Sequence, residues 1–384
     1  MPKKVMFCAT VDTHFESFHL PYLKWFKEQG WEVHVAANGD IPLPYVDQKF
    51  NISIERSPFS LKNITAYKEL KEIIDKNEYD IIHCHTPMGG VISRMAAKEA
   101  RNIGTKLIYT AHGFHFFKGA PLINWAFYYP IEKFLSKYTD CLITINKEDY
   151  HQALKHRFNA EHIKHIHGVG INIDVFFPVN QLKKNILKDH YGYSKQDILL
   201  FYAAEFNKNK NQQYLIKTLA LIKKQASNVR LLLAGDGPLL EDCKKLAINL
   251  GVGEMVHFLG YRSDIDKLLK MSDIAVASSL REGLPVNIME AMASGLAVIA
   301  TDNRGHRELI QNGENGWIVS TNGVQEMSDK IKLLIKNEKL RSGFGKQARK
   351  VIEENYAISN VLNEKSQLYS LFMEDKEEKR WAVH

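Results

Sequence analysis

The chain has 384 residues, of which 45% are hydrophobic, and Lys and Arg exceed Asp and Glu by 51 to 44. This length predicts two domains of about 150–200 residues, and no apolar run approaches the roughly 18–20 residues that a membrane-spanning helix requires. The basic surplus is spread along the chain without a polybasic block, a zinc-finger or an RNP signature, so we expect no nucleic acid among its partners.

The N-terminal segment and the cysteines predict the cellular compartment of the protein. Residues 3–9 form a short run that is typical of a first strand and is too short for a signal peptide. Cys8, Cys84, Cys141 and Cys243 form no close pair, and three of them lie in strand-like runs. This usage is typical of reduced, buried thiols in a cytosolic protein.

Short β-branched runs alternate with amphipathic stretches along the first half of the chain, and this pattern predicts a parallel sheet with crossover helices. The predicted strands are Lys4–Ala9, Glu32–Ala37, Asp80–His85, Leu107–Thr110, Cys141–Ile145 and His162–His167. The predicted helices are Ser17–Gln29, Ala66–Asn77, Gly89–Asn102, Leu122–Tyr138 and Lys147–Phe158.

The second half repeats the alternation. Its predicted strands are Ile198–Ala204, Val229–Ala234, Val256–Leu259, Ile274–Ser278, Ala297–Thr301 and Trp317–Ser320. Its predicted helices are Gln212–Lys224, Leu239–Leu250, Asp264–Met271, Pro285–Ala293, Arg304–Ile310 and Val324–Lys336. The fold class is therefore α/β, with two doubly wound Rossmann-like domains that face each other across a cleft between strand carboxyl ends.

The stretch from Gly168 to Pro178 is rich in Gly, Asn and Pro and lacks periodicity, so we interpret it as a hinge. The expected division is an N-terminal domain over residues 1–170, a linker over 171–188 and a second domain over 189–355. Residues 356–384 are expected to form a C-terminal helix and tail that return toward the N-terminal domain.

Two glutamates, Glu282 and Glu290, flank the segment in which a predicted strand ends and a helix starts near Pro285, so that one lies before the helix and one in it. Gly283 and Leu284 lie in that turn. The unpaired N–H groups at such a helix start favour a phosphate, and the two carboxylates could accept hydrogen bonds from ligand hydroxyls. The pattern indicates a nucleotide-sugar site. The alternative is that both are ordinary acids of a helix start, stabilised by the helix dipole.

Two further turns follow strands of the second half. Lys210 lies in the Asn- and Lys-rich segment after the first strand, where it could reach the same phosphates, although a solvated polar turn has a similar composition. Gly235 ends the next strand and would permit close approach of a ligand, or simply a tight turn.

Histidines mark the corresponding ends in the first half. His112 follows the strand Leu107–Thr110 and could bond a sugar hydroxyl or help to transfer a proton. His83 with His85, and His165 with His167, alternate along strands as metal ligands can. No carboxylate or cysteine completes either pair at a recognised spacing, so we expect no metal site.

Aromatic residues are dense between Phe114 and Tyr129, with Lys118 and Lys133 close by. Aromatic side chains beside lysines are typical of a membrane interface or of a lipid-bearing acceptor. Part of this set could instead belong to the core.

Several stretches together resemble the family 4 retaining glycosyltransferases of the GT-B fold, and in particular the EpsD-type enzymes of bacterial exopolysaccharide and capsule synthesis. Besides the Glu282–Glu290 segment, they are residues 7–12, 82–87, 109–116, 138–146 and 301–308. The resemblance covers nearly the whole chain. It implies an acceptor-binding N-terminal domain and a donor-binding C-terminal domain.

The resemblance also implies roles for the residues that match its motifs. Glu282 would contact the donor sugar, Glu290 the nucleotide ribose, and Lys210 the diphosphate. His112 would lie near the 6-hydroxyl of the donor sugar, and the amides of Gly283–Leu284 would receive the phosphates. A UDP-sugar would be the donor substrate, with no cofactor and no divalent metal.

The sequence departs from the family pattern at two places. Glu205 stands where the family commonly has an arginine in the donor site, and an acid there would repel a diphosphate. Thr13, His14 and Phe15 replace the usual Gly-Gly of the loop on the acceptor side.

From these motifs and the resemblance, we expect a glycosyltransferase that moves a sugar, with an N-acetylhexosamine as the expected one, from a UDP-sugar to a polyprenyl-diphosphate-linked glycan. We expect it in the cytoplasm, at the inner face of the cell membrane, with other exopolysaccharide enzymes as partners. The alternatives are a UDP-sugar 2-epimerase of the same fold and a non-catalytic scaffold of an exopolysaccharide assembly complex.

Overall fold

The computed structural model describes residues 2–381, with side chains up to residue 373. The last three residues of the predicted tail lie outside this range. The chain divides into two compact units. The first comprises the residues up to Val169 together with the chain from Val361 onward, and the second is Gly170–Asn360.

The first unit is built from a parallel sheet and its crossover helices. Its strands are β1 (Lys4–Val11), β2 (Glu32–Asn38), β3 (Gln48–Asn51), β4 (Ile81–His85), β5 (Lys106–Ala111), β6 (Cys141–Thr144) and β7 (His162–His165). Its helices are α1 (Thr13–Phe18), α2 (Leu20–Glu28), α3 (Lys62–Asn77), α4 (Pro87–Ala96), α5 (Lys98–Asn102), α6 (Leu122–Ser136) and α7 (Lys147–Lys155).

The second unit repeats this construction. Its strands are β8 (Ile198–Ala203), β9 (Val229–Ala234), β10 (Val256–Gly260), β11 (Ile274–Ala277), β12 (Ala297–Thr301) and β13 (Gly316–Val319). Its helices are α8 (Gln181–His190), α9 (Gln212–Ile222), α10 (Leu240–Asn249), α11 (Ile265–Met271), α12 (Val286–Ala293), α13 (Arg304–Leu309), α14 (Val324–Lys336) and α15 (Glu338–Val351). The last helix, α16 (Ile358–Trp381), begins in the second unit and continues into the first.

The strand order of each sheet defines where a ligand can bind. The first sheet has seven strands in the order β3-β2-β1-β4-β5-β6-β7, and the second has six in the order β10-β9-β8-β11-β12-β13. Every strand pairing in both sheets is parallel. The chain reverses its direction across the sheet between β1 and β4, and again between β8 and β11. Open α/β sheets bind ligands outside the carboxyl ends of the strands at such switch points.

Both faces of the first sheet are covered, because side chains of a strand alternate between its faces. Met6 and Cys8 of β1 contribute to one buried cluster, whereas Val5 and Phe7 contribute to the other. Tyr369, from the later part of α16, packs into the second of these clusters. This two-sided burial produces the doubly wound architecture expected from the alternating pattern.

The observed elements differ from the expected ones at a few places. The strand β3 was not predicted, because its sequence Gln-Lys-Phe-Asn has no β-branched residue. The helix expected over Ser17–Gln29 is two helices that meet at His19, whose backbone is not helical. The helix α8 begins at Gln181, inside the stretch predicted as a linker.

Candidate functional site

Lys210 and Glu282 meet at the switch point of the second sheet. Lys210 lies in the loop after β8, and Glu282 lies in the loop after the neighbouring strand β11. The Lys210 Nζ and the Glu282 Oε1 are 2.5 Å apart, and both side chains keep some exposure to solvent. The structure therefore brings together an ammonium and a carboxylate that the sequence predicted as the phosphate and sugar contacts of one site.

Short hydrogen bonds hold the two loops against each other. The Asn209 side chain donates to the Arg281 carbonyl at 2.9 Å, and the Leu280 amide donates to the Asn209 carbonyl at 2.8 Å. The Ser278 hydroxyl donates to the Lys210 carbonyl at 2.7 Å. These bonds fix the backbone on both sides of the ion pair, so its geometry does not depend on the two side chains alone.

The first turn of α13, which follows β12, packs against Glu282. The Arg304 Nε donates to the Glu282 carbonyl at 3.2 Å. A Cβ on Gly305 would lie 2.7 Å from the Glu282 Cβ and 3.1 Å from its carbonyl carbon, so only glycine fits without displacement. Arg304 and Gly305 lie in the 301–308 stretch that carries the family resemblance, but nothing in the sequence pattern assigned them a role in positioning Glu282.

His306, a buried residue of α13, was not identified from the sequence. Its Nδ1 lies 2.6 Å from the Thr301 carbonyl oxygen, which can only accept, so Nδ1 carries the hydrogen. Its Nε2 is buried without a hydrogen-bond partner in the described part of the chain. Burial is the main cause that lowers the pKa of His306, and the imidazole is therefore neutral and keeps a free acceptor on Nε2.

Glu290 is half-buried in α12, and its carboxyl, unlike that of Glu282, has no ionic partner among the described residues. No described residue donates a hydrogen bond to it, and burial raises its pKa to about 7.

The helix α12 is held at both ends by hydrogen bonds. The Asn287 side chain donates to the Ala203 carbonyl at 2.7 Å, and the Arg349 Nη1 donates to the Ala293 carbonyl at 2.6 Å.

The turn that precedes α12 has the form expected from the sequence. Pro285 is the residue that precedes the first helical residue, Val286, and Gly283 and Leu284 come directly before it. Leu284 is buried, whereas Gly283 is partly exposed. Phosphate binding by these amides stays a prediction.

Glu205 and Gly235 lie at the ends of β8 and β9. Glu205 is exposed, and its Oε2 accepts a hydrogen bond from the Asn207 amide at 2.9 Å. Gly235 has a φ of +133°, and a Cβ there would lie 2.2 Å from the Ala204 carbonyl oxygen. Gly235 is therefore required by the close crossing of two chain segments, whether or not a ligand approaches it.

In the first unit, imidazoles gather at the carboxyl ends of three strands. His14 and His19 follow β1, His85 ends β4, and His112 follows β5. His14 Nε2 lies 3.1 Å from His19 Nε2, and His85 Nδ1 lies 3.3 Å from His112 Nε2. One ring nitrogen from each residue lies within 4.8 Å of those of the other three. We refer to His14, His19, His85 and His112 as the histidine cluster.

Burial keeps the histidine cluster uncharged. Desolvation lowers the pKa of His14 to about 4, and it lowers the pKa values of His19, His85 and His112 well below the ordinary value. Lys365 of α16 adds positive potential here, and burial lowers its own pKa to about 7. Its Nζ is buried without a hydrogen-bond partner among the described residues and lies 3.9 Å from the centre of a tyrosine ring.

The loop predicted to lie on the acceptor side is the helix α1. Thr13 is exposed and His14 belongs to the histidine cluster, whereas Phe15 is buried in the core, 6.4 Å from the ring of Phe7. Of the histidines paired in the sequence pattern, only His85 belongs to the histidine cluster. The ring of His83 lies beside that of His85, with centres 4.2 Å apart, but both ring nitrogens of His83 are hydrogen-bonded, to Tyr369 and Thr110.

The aromatic stretch is divided between core and surface. Phe116 is buried, and Trp125, Tyr128 and Tyr129 pack against the core. The exposed side chains are mainly aliphatic and phenylalanine residues on one side of α6, together with a phenylalanine that precedes α3. We call this set the α6 surface: Leu122, Ile123, Phe127, Phe134 and Phe59. The ring centres of Phe59 and Phe127 are 5.8 Å apart. Within residues 2–381, no helix is both long and apolar enough to span a membrane.

Comparison with known proteins gives a consistent result. A model described as "Glycosyl transferases group 1" matches residues 183–351, and one described as "Glycosyl transferase 4-like" matches residues 4–146. The chain is 49% identical to EpsD of Bacillus subtilis (strain 168), provisionally classed as a glycosyltransferase, over 99% of this chain and 100% of that protein.

A second relative has a more specific name. It is the N,N'-diacetylbacillosaminyl-diphospho-undecaprenol alpha-1,3-N-acetylgalactosaminyltransferase of Campylobacter jejuni, 28% identical over 90% of this chain and 93% of that protein. Among solved structures, the chain is similar to HepE of Anabaena in complex with UDP and glucose, with a TM-score of 0.79 and 19% identity, over 96% of this chain and 99% of that one. The expected GT-B fold class is thereby confirmed.

Proposed function

The chain belongs to the group 1, or family 4, glycosyltransferases, and from this we propose that it transfers an N-acetylhexosamine from a UDP-sugar to a polyprenyl-diphosphate-linked glycan with retention of configuration. The observation that carries the proposal is the Lys210–Glu282 pair at the switch point of the second sheet. An ammonium and a carboxylate in contact offer complementary partners to the two parts of a nucleotide sugar, the diphosphate and the sugar hydroxyls.

Lys210 is the residue proposed to stabilise the leaving group. When the bond between the sugar and the diphosphate breaks, negative charge develops on the departing nucleoside diphosphate, and a fixed ammonium lowers the energy of that state. The start of α12 adds amide donors at Gly283 and Leu284. The Glu282 carboxylate is in contact with this ammonium, so donor binding would exchange one ionic partner of Lys210 for another.

Glu282 and Glu290 are proposed to bind different hydroxyls. Glu282 would accept hydrogen bonds from the donor sugar, close to the bond that breaks. Glu290 would accept them from the ribose, for which its carboxylate has no competing partner among the described residues. Gly235 would allow the nucleotide to approach the ends of β8 and β9 closely. Glu205 is exposed and oriented by Asn207.

In the first unit, His112 is proposed to contact the 6-hydroxyl of the donor sugar, and Thr13 and His14 are proposed to lie on the acceptor side. The neutral state of His112 suits it to accept or donate a hydrogen bond without adding a charge.

The acceptor and the sugar are proposed from the relatives. The Campylobacter protein is named for moving an N-acetylhexosamine to an undecaprenol diphosphate carrier, and the likeness to EpsD extends over both full chains. We therefore place the reaction in exopolysaccharide or capsule synthesis, beside the other enzymes of that process.

A lipid-linked acceptor implies work at a membrane surface, and the α6 surface is suited to it. Exposed apolar side chains on one helix face bury favourably at the boundary between lipid headgroups and acyl chains. Lys118 and Lys137 are exposed nearby along the chain and would favour an anionic leaflet. We propose attachment to the cytoplasmic face of the cell membrane by this surface.

The test is to incubate the purified chain with a panel of UDP-sugars and a polyprenyl-diphosphate-linked saccharide, and to determine the product and its anomeric configuration by NMR. We expect one UDP-N-acetylhexosamine to be used with retention, and no turnover in folded Glu282→Ala protein. Conversion of UDP-N-acetylglucosamine without acceptor would indicate an epimerase. Failure to bind any nucleotide sugar would indicate a scaffold.

A further inference from the structure

The proposed transfer uses His112 and His14 individually, whereas the first unit assembles four imidazoles in one place. We propose that the histidine cluster binds one divalent transition-metal ion, with Zn²⁺ as the best match. The four residues belong to the first unit, whereas Lys210 and Glu282 belong to the second.

The spacing of the ring nitrogens suits a tetrahedral ion. With Zn–N bonds of about 2.0–2.1 Å, tetrahedral ligand atoms lie about 3.3 Å from one another. Two pairs already have this separation, at 3.1 Å for His14 with His19 and 3.3 Å for His85 with His112. All four ligand atoms lie within 4.8 Å of one another, so small side-chain rotations would close them around an ion.

The composition of the site selects the type of metal. Four imidazoles without a carboxylate favour zinc and its neighbours over Mg²⁺ and Ca²⁺, which prefer oxygen ligands. A set of four protein ligands that leaves no open position is typical of a structural zinc site. His112 would use the Nε2 that faces His85, which leaves its Nδ1 for the proposed sugar contact.

The facing ring nitrogens of the histidine cluster have only one another as partners among the described residues. His83, by contrast, has both ring nitrogens bonded to protein groups. In the cluster, His14 Nε2 faces His19 Nε2, and His85 Nδ1 faces His112 Nε2. These four nitrogens are therefore available to a shared ion. The other buried nitrogens, His19 Nδ1 and His85 Nε2, point away from it and have no partner in the part of the chain that the structure describes.

An ion at this position would join segments that are far apart in the sequence. The ligands lie at the carboxyl ends of β1, β4 and β5, which are consecutive in the sheet. The ion would therefore fix the relative positions of these three strand ends. Since such binding requires the folded arrangement, its free energy adds to the stability of the unit.

The decisive measurement is the metal content of the full chain, purified without a histidine tag, followed by titration of the chelator-stripped protein with Zn²⁺ in competition with a chromogenic chelator. We expect about one tightly bound equivalent in the wild type. The double variant His19→Gln/His85→Gln should lose it, with an affinity at least a hundredfold weaker. The control His151→Gln removes an exposed histidine of α7 and should change nothing. Equal affinities of wild type and double variant would overturn the proposal.

A second measurement guards against a misfolded variant. Co²⁺ bound to the wild type should give the intense visible absorption of a tetrahedral site, and its absence would count against the proposal without any variant. The far-UV circular dichroism spectrum of the zinc-free double variant, compared with that of the zinc-free wild type, tests whether the variant is folded. Lys365 adds positive potential at His14, His19 and His112 when its amine is protonated. At about pH 6, below the pKa of Lys365, the Lys365→Met variant should therefore bind zinc severalfold more tightly than the wild type. An unchanged affinity would contradict the location of the site.

Discussion

Lys210 and Glu282 are 72 positions apart in the chain, yet their side chains form an ion pair with 2.5 Å between Nζ and Oε1. The pair exists because β8 and β11 are neighbours in the second sheet although β9 and β10 separate them in sequence. Its two members are the residues to which we assign the diphosphate and the donor sugar.

Replacing Lys210 by alanine should reduce the rate of transfer by about a hundredfold to a thousandfold, because the developing charge of the leaving group loses its fixed counter-charge. Steady-state kinetics with the accepted UDP-sugar would measure this. Lys208→Ala is the matched control, since Lys208 is an exposed lysine of the same loop. Equal losses in the two variants would show that the loop, and not the Lys210 ammonium, is what the reaction needs.

Gly305→Ala should impair transfer without removing any functional group. The added Cβ would be 2.7 Å from the Glu282 Cβ and 3.1 Å from its backbone carbonyl carbon, which cannot move aside cheaply. A displaced Glu282 should lower kcat/KM by roughly tenfold to a hundredfold. Gly343→Ala provides the comparison, because its Cβ would meet nothing within 4 Å and Gly343 lies in a helix. Wild-type kinetics in Gly305→Ala would rule out this packing role.

Binding of the UDP-sugar should weaken on acidification. Burial raises the pKa of Glu290 to about 7, so its carboxyl is increasingly protonated below that pH in the free protein. If the ribose hydroxyls bind the carboxylate, the dissociation constant should rise by about tenfold for each pH unit below 7. A UDP-sugar is the right ligand because the terminal phosphate of UDP itself titrates. In Glu290→Gln binding should be weaker and nearly independent of pH, and an unchanged pH profile would exclude Glu290.

The buried Lys365 should make folding stability depend on pH. Its pKa is lowered to about 7 in the folded state, from an ordinary 10.5. Above pH 7 the unfolded chain binds a proton that the native chain does not, so stability should rise with pH. Between about pH 7.5 and 8.5, above the histidines and the Glu290 carboxyl and below the thiols, the slope should be roughly 1 kcal/mol per pH unit.

The Lys365→Met variant should lack that slope, and it should be more stable than the wild type at pH 7. Urea unfolding at several pH values would measure both. Parallel pH profiles for the two proteins would show that the Lys365 amine is not desolvated in the way its burial indicates.

The α6 surface should control binding to lipid. Ile123→Glu places a charge on it, and Ile248→Glu on α10 is a close control because both isoleucines are 70% exposed. Cosedimentation with vesicles that contain anionic lipid should fall severalfold in the first variant only. Equal vesicle binding by the two variants would mean that another surface attaches the protein.

The sequence was sufficient for the strand pattern because buried parallel strands are β-branched runs bounded by turns. It failed at β3, which has no such residue, and at His19, where a non-helical backbone divides a continuous amphipathic pattern. The break is a tertiary effect, since His19 is buried beside His85, with ring centres 4.1 Å apart. A contact between residues so far apart in the sequence cannot be predicted from the helix propensities of the residues around His19.

The candidate site divides in the same way. Lys210 and Glu282 could be paired in advance because each follows a strand, and neighbouring parallel strands end at the same edge. The histidine cluster could not be predicted in this way. Its members lie at three strand ends, and the directions of their side chains depend on packing. Spacing along one strand suggested His83 with His85, but the hydrogen bonds of His83 to Tyr369 and Thr110 exclude it from the set.

The attachment of α12 at both ends has a thermodynamic consequence. Asn287 links its first turn to the end of β8, and Arg349 links its last residue, Ala293, to α15. A nucleotide that binds against this helix does not have to immobilise it. The conformational entropy that a flexible segment would lose on binding is already lost in the folding of the second unit. More of the intrinsic contact energy of the ligand should therefore be retained as affinity.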